Sequence, residues 1–593
     1  MYAVNGKVLE IDLTTGESRE IGIKEEEYRK YLGGTAMACH LTGERMAKVQ
    51  DPLGPDNLLS FMTGPFTGSG VSSEGRHAVT ALSPLTGCWG EATGGGLLAR
   101  NLKGCGYDGI IITGKAEKPV YLYLGEGGWE IKDASHLWGG TTHRTVEGIR
   151  EETTRNTQVA AIGPAGENLV RYACVVCSGG GVAGRCGLGA VMGSKNLKAV
   201  AFRGRRLPYL ANPGPFEYAS GEVYKELEFK GDLLKEYGTL GYIDVGTSFG
   251  DVPDRYFTSG LFPVEKVSAS TLRRHYVVES SACCYCALSC KKTVHLEEKE
   301  KLRAPEYETA VSLGPLLGIY DLEFLCRINR ECNDLGVDTI SVGVSLGFAA
   351  HLQEEGLVPA GEEGIAPFAF GDQRSTRELL QKISRREGEG DLLAEGVRRM
   401  AEKLEVDPGL AAHAKGLEIP MHEPRAFEGQ ALCYATGPRG ACHQRGDFYM
   451  VDLGQFDDPG EMGFYPGDRF TVEGRIQQVI HMQDYRELFN NLLLCNYAML
   501  PLQVITGLLG AVTGWDLTPE EVLESGRRSS DLKRALNCEL GVTPAGDRLP
   551  EIVCRPLPDG GAAGKELYLE QQLQEYYRLR EWDPQTGRPQ KEC

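Results

Sequence analysis

Four cysteines carry the most distinctive chemistry of this sequence. Three of them, Cys283, Cys286 and Cys290, have the spacing C-x2-C-x3-C, and Cys495 lies in an apolar segment about two hundred residues further on. This spacing can turn three thiolates inward within one compact loop, and a remote fourth thiolate can complete a cage around an iron–sulfur cluster. Four thiolates also suit a structural zinc ion, so the spacing alone leaves an electron-transfer site and a zinc site as alternatives.

The composition is that of a globular protein with several domains. The chain has 593 residues, 41% of them hydrophobic and 24% charged, and this length favours about three or four domains. A net charge of -19 disfavours nucleic acid or an anionic membrane surface as a partner. Eighteen cysteines without a basic, apolar leader predict reduced thiols in a cytoplasmic protein. Because the apolar stretch 492–515 includes polar residues and Cys495, we expect it to be buried core and expect no membrane span.

The pattern of apolar residues changes along the chain. Up to about residue 205 it alternates as in β-strands, with strands predicted at 7–13, 110–112, 120–124 and 129–132, and a hairpin after residue 13. Helical spacing follows, with helices predicted at 216–237, 322–335, 340–355, 377–386, 392–404, 472–488, 519–524 and 565–580. We therefore predict an α+β fold with a β-rich domain at 1–210, a helical domain with the C-x2-C-x3-C loop at 211–415, and a helical C-terminal domain with Cys495 at 416–593.

A second C-x2-C pair, Cys174 and Cys177, lies in the stretch 169–176, which also has the character of a strand. Residues three apart on a strand face opposite sides of the sheet. We therefore interpret this pair as structural.

Short motifs in a consistent order indicate a family. They are YLGG at 31–34, MTGP at 62–65, GRH at 75–77, SPLTG at 83–87, GYDG at 106–109, GLGAVMGSKNLK at 187–198 and PEYET at 305–309. With the cysteines, they make the sequence resemble the tungsten-containing aldehyde:ferredoxin oxidoreductase family over essentially its whole length. The resemblance implies tungsten, or molybdenum, held by two molybdopterin-type dithiolenes beside one 4Fe-4S cluster, enclosed by a β-rich domain and two helical domains.

The resemblance also implies roles for residues around the metal. Cys283, Cys286, Cys290 and Cys495 are then the cluster ligands, and Arg76 lies between cluster and pterin. The segments of Thr93, Gly94, Gly95 and Ala183 are then those that hold a magnesium ion bridging the pterin phosphates through backbone carbonyls. Threonine stands at 93 where the family more often has asparagine.

Two family motifs, D-x-x-G-L-D and D-x-x-G-L-C, correspond to residues 333–338 and 490–495. They imply pterin contacts at Asn333, Asp338, Asn490 and Leu494, and Arg445 takes the place of a basic pterin or phosphate contact. Asparagine replaces aspartate at 333 and 490, and Leu493 replaces the second glycine. Because leucine rarely adopts positive φ, the backbone at 493 is the position where this sequence departs most from the motif.

The implied catalytic pair is Glu308 and His443. A buried glutamate can accept a proton from water, and an imidazole can donate a hydrogen bond to a carbonyl oxygen. Outside the family context, a helix-start carboxylate and a core histidine would be the simpler readings. The expected reaction converts an aldehyde and water to a carboxylic acid, with electrons passing to ferredoxin or a ferredoxin-like subunit in a homo- or hetero-oligomer.

Two other functions stay open at this point. One is the active-site subunit of a tungsten-dependent aromatic acyl-CoA reductase of the benzoyl-CoA type, a relative in the same family. The other is a zinc-stabilised binding protein without catalysis.

Overall fold

The N-terminal third of the protein is built on two mixed β-sheets. The structure is a computed structural model that describes residues 1–297, 300–358, 367–456 and 462–591. Within them, the first sheet has the spatial order β2 (Ser18–Gly22), β1 (Lys7–Asp12), β6 (Gly109–Thr113), β3 (Leu59–Met62), β4 (Arg76–Leu82) and β5 (Trp89–Gly95). The second has the order β11 (Gly181–Ala183), β10 (Val175–Cys177), β9 (Gln158–Ala161), β12 (Leu197–Arg203), β7 (Val120–Gly125) and β8 (Gly128–Asp133).

The strands predicted at 7–13, 110–112, 120–124 and 129–132 are confirmed. β1 and β2 form the expected antiparallel hairpin, and β6 lies between β1 and β3. Side chains from both sheets meet in one core, where the rings of Phe61 and Phe202 lie 6.5 Å apart. A central strand with both faces covered reads as a continuous apolar run, which explains the sequence of β6.

The strand expected at 169–176 is wrong over most of its length. A short helix occupies Pro164–Glu167, and Leu169 has a φ of 58°. Only Val175–Cys177 is extended. Pro164 favours the first turn of the helix that precedes the predicted strand. The left-handed conformation of Leu169 then redirects the chain. The local apolar pattern therefore does not decide the structure of this stretch.

The helices cover the rest of the chain and the gaps between strands. The N-terminal ones are α1 (Glu25–Tyr31), α2 (Gly34–Met46), α3 (Leu98–Gly104), α4 (Thr142–Glu152), α5 (Pro164–Glu167) and α6 (Leu188–Ser194). Those that follow are α7 (Pro213–Lys230), α8 (Asp232–Tyr237), α9 (Tyr242–Phe249), α10 (Ala269–His275), α11 (Tyr307–Ser312), α12 (Leu322–Leu335), α13 (Thr339–Glu354), α14 (Gln373–Arg385), α15 (Glu389–Leu393), α16 (Val397–Leu404), α17 (Glu428–Thr436), α18 (Tyr449–Asp452), α19 (Ile476–Leu492), α20 (Leu502–Thr513), α21 (Pro519–Glu539) and α22 (Glu570–Arg580).

The predicted helices are present with corrected boundaries. The prediction 322–335 coincides with α12, and 340–355 and 377–386 correspond to α13 and α14. The predictions 216–237 and 392–404 are each split in two, at Gly231 and at 394–396, where Gly396 has a φ of 83°. α19 starts four residues later than predicted, α21 continues to Glu539, and α22 begins at Glu570. A sheet-rich N-terminal part followed by helical parts confirms the predicted fold class, while the proposed domain limits stay a prediction.

A small sheet within the helical region was not predicted. It consists of β13 (Val277–Ser281), β14 (Lys291–Glu297) and β15 (Glu300–Arg303), and the cysteine-rich loop connects β13 to β14. A two-stranded pair, β16 (His413–Ala414) and β17 (Leu417–Glu418), comes shortly before His422, which lines the central cavity. Most β13 side chains are exposed, so an alternating apolar pattern is not required of this strand.

The apolar stretch after α19 is packed inside the protein. Leu502, Ile505, Leu508, Leu509 and Val512 are buried in a core shared with α19 and α2. In the described part of the chain, no single helix is long and apolar enough to cross a bilayer, and one sharply bent pair, Tyr307–Leu317 with Leu322–Leu335, meets the length and composition criteria only when the two are taken together.

Candidate metal and active site

A large cavity lies where the two sheets meet the helical region. The space inside the cavity and its solvent-open mouth measures about 1460 Å³. It is lined by ten of the residues singled out from the sequence: Arg76, Thr93, Gly95, Cys283, Cys290, Glu308, Asn333, Asp338, His443 and Cys495. Residues separated by more than 400 positions therefore share one site.

The cysteine loop and Cys495 approach each other at one end of this cavity. The loop is compact, because Tyr285 and Ser289 both have positive φ, 48° and 46°, and the N–H of Cys286 donates to the carbonyl of Cys283 at 3.3 Å. Cys495 follows the C-terminus of α19, and its N–H donates to the carbonyl of Ser73 at 3.0 Å.

Three of the four thiols lie close enough to the fourth, Cys290, to affect its pKa. Burial raises the pKa of Cys290, and Glu306 and the other three thiols, Cys495, Cys283 and Cys286, raise it further. Thiolates crowded in this way need a compensating cation, which a metal cluster supplies. Across the described residues, no three His, Cys, Asp or Glu side chains converge tightly enough to hold one isolated metal ion.

Arg76 connects the cysteine end of the cavity to the sheet. Its Nη1 lies 3.9 Å from Sγ of Cys495, and its Nη2 donates to Oγ1 of Thr93 at 2.8 Å and to the Thr93 carbonyl at 3.2 Å. The arginine side chain therefore bridges a cluster-type cysteine and β5. Its guanidinium is placed to stabilise negative charge on sulfur.

Glu308 and His443 face each other inside the cavity. Glu308 is in the first turn of α11, and its Oε2 accepts a hydrogen bond from the N–H of Met421 at 2.8 Å. Its Oε1 lies 3.1 Å from Nδ1 of His443, although the two are not aligned for a hydrogen bond. Burial raises the pKa of Glu308 to about 7, and burial lowers the pKa of His443 well below its usual value, with nearby cations adding to the effect. A carboxyl that titrates near neutrality beside a neutral imidazole suits acid–base chemistry.

The turn that carries His443 is held from behind by Cys442. Sγ of Cys442 accepts from the N–H of Gln444 at 3.3 Å and from Nη2 of Arg439 at 2.8 Å. Burial opposes ionisation of this thiol, but Arg439 and Arg445 more than offset it, so the pKa of Cys442 is lowered. The sulfur of Cys442 thus caps the turn that begins at His443.

Asn333 and Asp338 line the cavity, but each already has protein partners. Nδ2 of Asn333 donates to Oδ1 of Asn329 at 3.1 Å. Asp338 caps α13 and lies 3.0 Å from Nε of Arg185. Oγ of Ser341 lies 2.7 Å from a carboxyl oxygen of Asp338 and also 2.7 Å from one of Glu418. One hydroxyl hydrogen cannot serve both carboxylates, so one of the two carboxyls is protonated.

Asn490 and Arg445 form a second buried group, set back from the cavity. Oδ1 of Asn490 accepts from Nη1 of Arg445 at 2.5 Å, and its Nδ2 donates to Oε1 of Glu487 at 3.3 Å. Nε of Arg445 donates to Glu91 at 2.6 Å. An amide can meet an arginine and a glutamate at once, which an aspartate cannot, and this accounts for asparagine at 490.

The backbone of the second pterin-type motif keeps the left-handed conformation despite leucine. Leu493 ends α19 with a φ of 59° and a ψ of 42°. Leu493 is completely buried, and Leu494 is 1% exposed. Burial of the leucine offsets the conformational cost of about 1–2 kcal/mol for a non-glycine residue in this region.

Gly94, Gly95 and Ala183 lie where β5 meets β11. A Cβ at Gly95 would lie 3.0 Å from Sγ of Cys283, and one at Gly94 would lie 2.6 Å from the ring of His77. Gly95 therefore needs glycine because the sheet and the cysteine loop approach closely, and Gly94 needs it because the His77 ring on the neighbouring strand leaves no room for a side chain. Gly94 and Ala183 are buried in the sheet beside the cavity.

The second cysteine pair lies in the core. Cys174 and Cys177 are both buried, and Sγ of Cys177 lies 3.3 Å from Nε2 of His77. Burial raises the pKa of Cys177 to about 12. A neutral buried thiol of this kind fits the structural interpretation.

Several important residues of the site were missed from the sequence. His422, Arg185 and Arg439 line the cavity, and Asp251 lies directly behind His422. Each stands alone in a segment without a motif, so no local signal marks it. Among the residues that the structure describes, buried guanidinium nitrogens of the site without a hydrogen-bond partner remain on three arginines: Nη1 of Arg185, Nε of Arg439 and Nη2 of Arg445. Such unmet donors fit a cofactor with anionic and polar groups, as phosphate-bearing pterins are.

Comparison with known proteins identifies the class of this protein. The family model for the N-terminal domain of aldehyde ferredoxin oxidoreductase matches residues 8–204, and the model for domains 2 and 3 matches residues 218–593. The chain belongs to the aldehyde ferredoxin oxidoreductase family and is an oxidoreductase of that family.

Its similarity to individual relatives extends over the whole chain. It is 37% identical to the tungsten-containing aldehyde ferredoxin oxidoreductase of Pyrococcus furiosus, covering 98% of this chain and 97% of the relative. It is 30% identical to the aliphatic sulfonate oxidoreductase, WOR-like subunit, of the same organism, covering 100% and 96%. Among solved structures, the active site complex BamBC of benzoyl coenzyme A reductase with 1,5 dienoyl-CoA matches with a TM-score of 0.87 at 25% identity, covering 99% of this chain and 96% of that one.

Proposed function

We propose that this protein oxidises an aldehyde with water to a carboxylic acid at a tungsten bis-pterin centre and passes the electrons through a 4Fe-4S cluster to ferredoxin. The observation that carries the proposal is the pair Glu308 and His443, whose facing atoms lie 3.1 Å apart in the cavity that Cys290 and Cys495 also line. Acid–base groups and a cluster-type ligand set thus share one enclosed site. The 37% identity to an aldehyde ferredoxin oxidoreductase over nearly the whole chain supports the same reaction.

The residues of the cavity suit the cofactors that this reaction needs. Cys283, Cys286, Cys290 and Cys495 would hold the cluster. The pterin contacts would come from Arg76, Asn333 and Asp338 in the cavity wall, from Arg445 and Asn490 behind it and from the backbone of Leu494, with Thr93, Gly94, Gly95 and Ala183 beside a magnesium ion. When bound, the tungsten centre and the cluster supply the two-electron and one-electron redox chemistry.

The reaction converts an aldehyde and water into a carboxylic acid, two protons and two electrons. Glu308 in its carboxylate form accepts a proton from the attacking water, which its pKa of about 7 permits near neutral pH. Once protonated, Glu308 can donate to Nδ1 of His443, which leaves the Nε2–H of the neutral imidazole to donate to the substrate oxygen. Only 14% of each side chain is exposed, and this enclosure strengthens the contacts with the reacting groups.

A second candidate is an aromatic acyl-CoA reductase subunit of the benzoyl-CoA type. It is favoured by one observation, the TM-score of 0.87 to the BamBC complex over 99% of this chain. The identity to that complex is 25%, lower than to the aldehyde-oxidising relatives, so aldehyde oxidation is the preferred proposal.

The test is a viologen-linked assay of anaerobically purified enzyme. Simple aliphatic and aromatic aldehydes are compared, as electron donors, with benzoyl-type CoA thioesters tested as acceptors of electrons from reduced viologen. We expect aldehyde-dependent viologen reduction with equimolar formation of acid.

Metal analysis of the same preparation provides the second arm. We expect tungsten or molybdenum, about four irons per chain, and magnesium. Thioester reduction without aldehyde oxidation would favour the second candidate. Zinc without iron or tungsten would overturn both in favour of a binding protein.

A further inference from the structure

A buried carboxylate–histidine pair stands directly behind Glu308. Nδ1 of His422 lies 2.6 Å from Oδ2 of Asp251, and its Nε2 lies 3.8 Å from Oε1 of Glu308. His422 and Asp251 are almost completely inaccessible, 3% and 0% exposed. The imidazole therefore has one carboxyl on each ring nitrogen.

We propose that His422, held as an imidazolium by Asp251, is a positioning residue that keeps Glu308 in its carboxylate form and oriented toward the cavity. This proposal rests on the proposed function, because it assigns Glu308 the role of the base. The arrangement is electrostatic: a cation within about 4–6 Å of a carboxyl favours the ionised form. His422 needs no contact with substrate for this effect.

Three aromatic rings lock the imidazole in place. The ring of Tyr449 stacks on His422 with centroids 4.2 Å apart, and Tyr307 and Tyr242 lie at 4.9 and 5.1 Å. The hydroxyl of Tyr242 donates to Oδ2 of Asp251 at 2.8 Å. Asp251 thus has a second donor, and the imidazole cannot turn its Nε2 away from Glu308.

Burial raises the pKa of Asp251, and His422 is the largest of the groups that lower it. Burial opposes protonation of His422, but Asp251 and then Glu308 more than offset it, so the pKa of His422 is raised. For Glu308, burial raises the pKa to about 7, and His422 is the first of the groups that lower it. Further titratable and charged groups near the three residues are His443, Asp447, Glu423, Arg185, Arg469, Tyr434 and Tyr497.

The sign of the effect on pH dependence follows directly. Glu308 acts as a base only above its pKa, so the activity of the wild type should rise with pH through about 7. Without the imidazolium, the pKa of Glu308 increases and the same rise moves to higher pH. A merely structural role would lower turnover at every pH and leave the position of the rise unchanged.

Two variants of the holoenzyme separate charge from shape. His422→Gln removes the cation, and Asp251→Asn keeps an acceptor for Nδ1 but removes the charge that holds the proton. For each we expect the acid limb of kcat/KM to shift upward by about one pH unit or more, kcat to recover at alkaline pH, and KM to change little. The double variant should shift the limb no further than either single variant, because the pair acts as one unit.

A matched control is the pair His136 and Glu152, whose atoms are 2.6 Å apart on the protein surface. His136→Gln should leave the pH profile unchanged. The histidine ¹⁵N spectrum of the holoenzyme is a readout that does not depend on turnover. The resonance of His422 is identified as the one that is lost in His422→Gln. At pH 7 it should be that of an imidazolium in the wild type and that of a neutral ring in Asp251→Asn.

An unmoved acid limb in both metal-replete variants, or a neutral His422 ring at pH 7 in the wild type, would overturn the proposal. If His422→Gln fails to fold or to load metal, Asp251→Asn and the wild-type spectrum still decide. A wild type that oxidises no aldehyde would instead overturn the proposed function, and the ¹⁵N spectrum would still report the state of His422.

Discussion

At the scale of single residues, burial decides which side chains of this protein can do chemistry. Glu308 and Glu323 both lie in the first turn of a helix, a position that favours the carboxylate. Glu323 is half exposed and pairs with Arg327, whereas burial raises the pKa of Glu308 to about 7. Glu308 can therefore exchange a proton near neutral pH.

We expect Glu308→Gln to reduce kcat about 10²–10⁴-fold, because a general base is lost while the shape of the side chain is kept. KM for the aldehyde should change little. The measurement is viologen reduction at saturating aldehyde, with tungsten and iron determined in the same sample. Glu323→Gln is the matched control and should retain full activity. Full activity of metal-replete Glu308→Gln would reduce Glu308 to an ordinary helix-start carboxylate.

Asn490→Asp restores the aspartate usual in the family, and we expect it to destabilise this chain by about 1–3 kcal/mol. The new carboxylate would lose the hydrogen bond to Glu487, now 3.3 Å long, and face a like charge. Thermal unfolding of the variant should begin at a lower temperature than that of the wild type. Asn212→Asp adds the same charge at an exposed position before α7 and should have little effect. Equal stability of the two variants would contradict this account of Asn490.

At the scale of elements, the close approach of the β5 sheet edge and the hairpin β13–β14 builds the cysteine site. Gly75 is the contact point on the sheet side. A Cβ there would lie 3.0 Å from the carbonyl of Gly96 and 3.1 Å from the N–H of Cys284. Because both neighbours are backbone atoms, a rotamer change cannot relieve the contact.

We expect Gly75→Ala to displace the cysteine loop and to lower the iron content of the purified enzyme, at a cost in stability of about 1–3 kcal/mol. Iron analysis and the low-temperature EPR signal of the reduced cluster measure the effect. Gly22→Ala is the control, since Gly22 lies on β2 with open space around it. Undiminished iron in Gly75→Ala would mean that the loop adapts without loss of its ligand geometry.

At the scale of the whole molecule, Cys495 ties the C-terminal helices to the cysteine loop and the sheet. It follows α19, donates its N–H to Ser73 at 3.0 Å and approaches Arg76. α19 in turn packs on α21 and α2. A cluster bound here would therefore join segments that are far apart in the chain, and its binding energy would add to folding stability.

We expect Cys495→Ser to lose most of its cluster iron and to melt at a lower temperature than the wild type. Cys284→Ser should keep its iron, because Cys284 points toward Glu74, whose carboxyl is 4.0 Å away. Anaerobic iron and sulfide analysis with thermal melting measures both. Iron loss in Cys284→Ser, or full iron in Cys495→Ser, would contradict the assigned ligand set.

The sequence by itself determined the family, the fold class and most of the regular elements. It also indicated those candidate site residues that lie within short sequence motifs. Residues 322–335 coincide with a helix because capping by Asp321 and Gly336 coincides with helical apolar spacing. Cys283, Cys286, Cys290, Glu308 and His443 could be predicted as site residues because each lies in a recognisable run. The single helices predicted at 216–237 and 392–404 are each two helices, because a glycine interrupts an otherwise regular apolar pattern.

Only the tertiary structure decided the environment of these residues. His422, Asp251, Arg185 and Arg439 have no motif, and they matter because folding brings them beside Glu308 and His443. Leu493 keeps a left-handed φ because the surrounding core buries its side chain. Backbone periodicity and ligand spacing are local properties, whereas burial and the sum of nearby charges depend on contacts between distant segments, and those set the pKa values on which the chemistry depends.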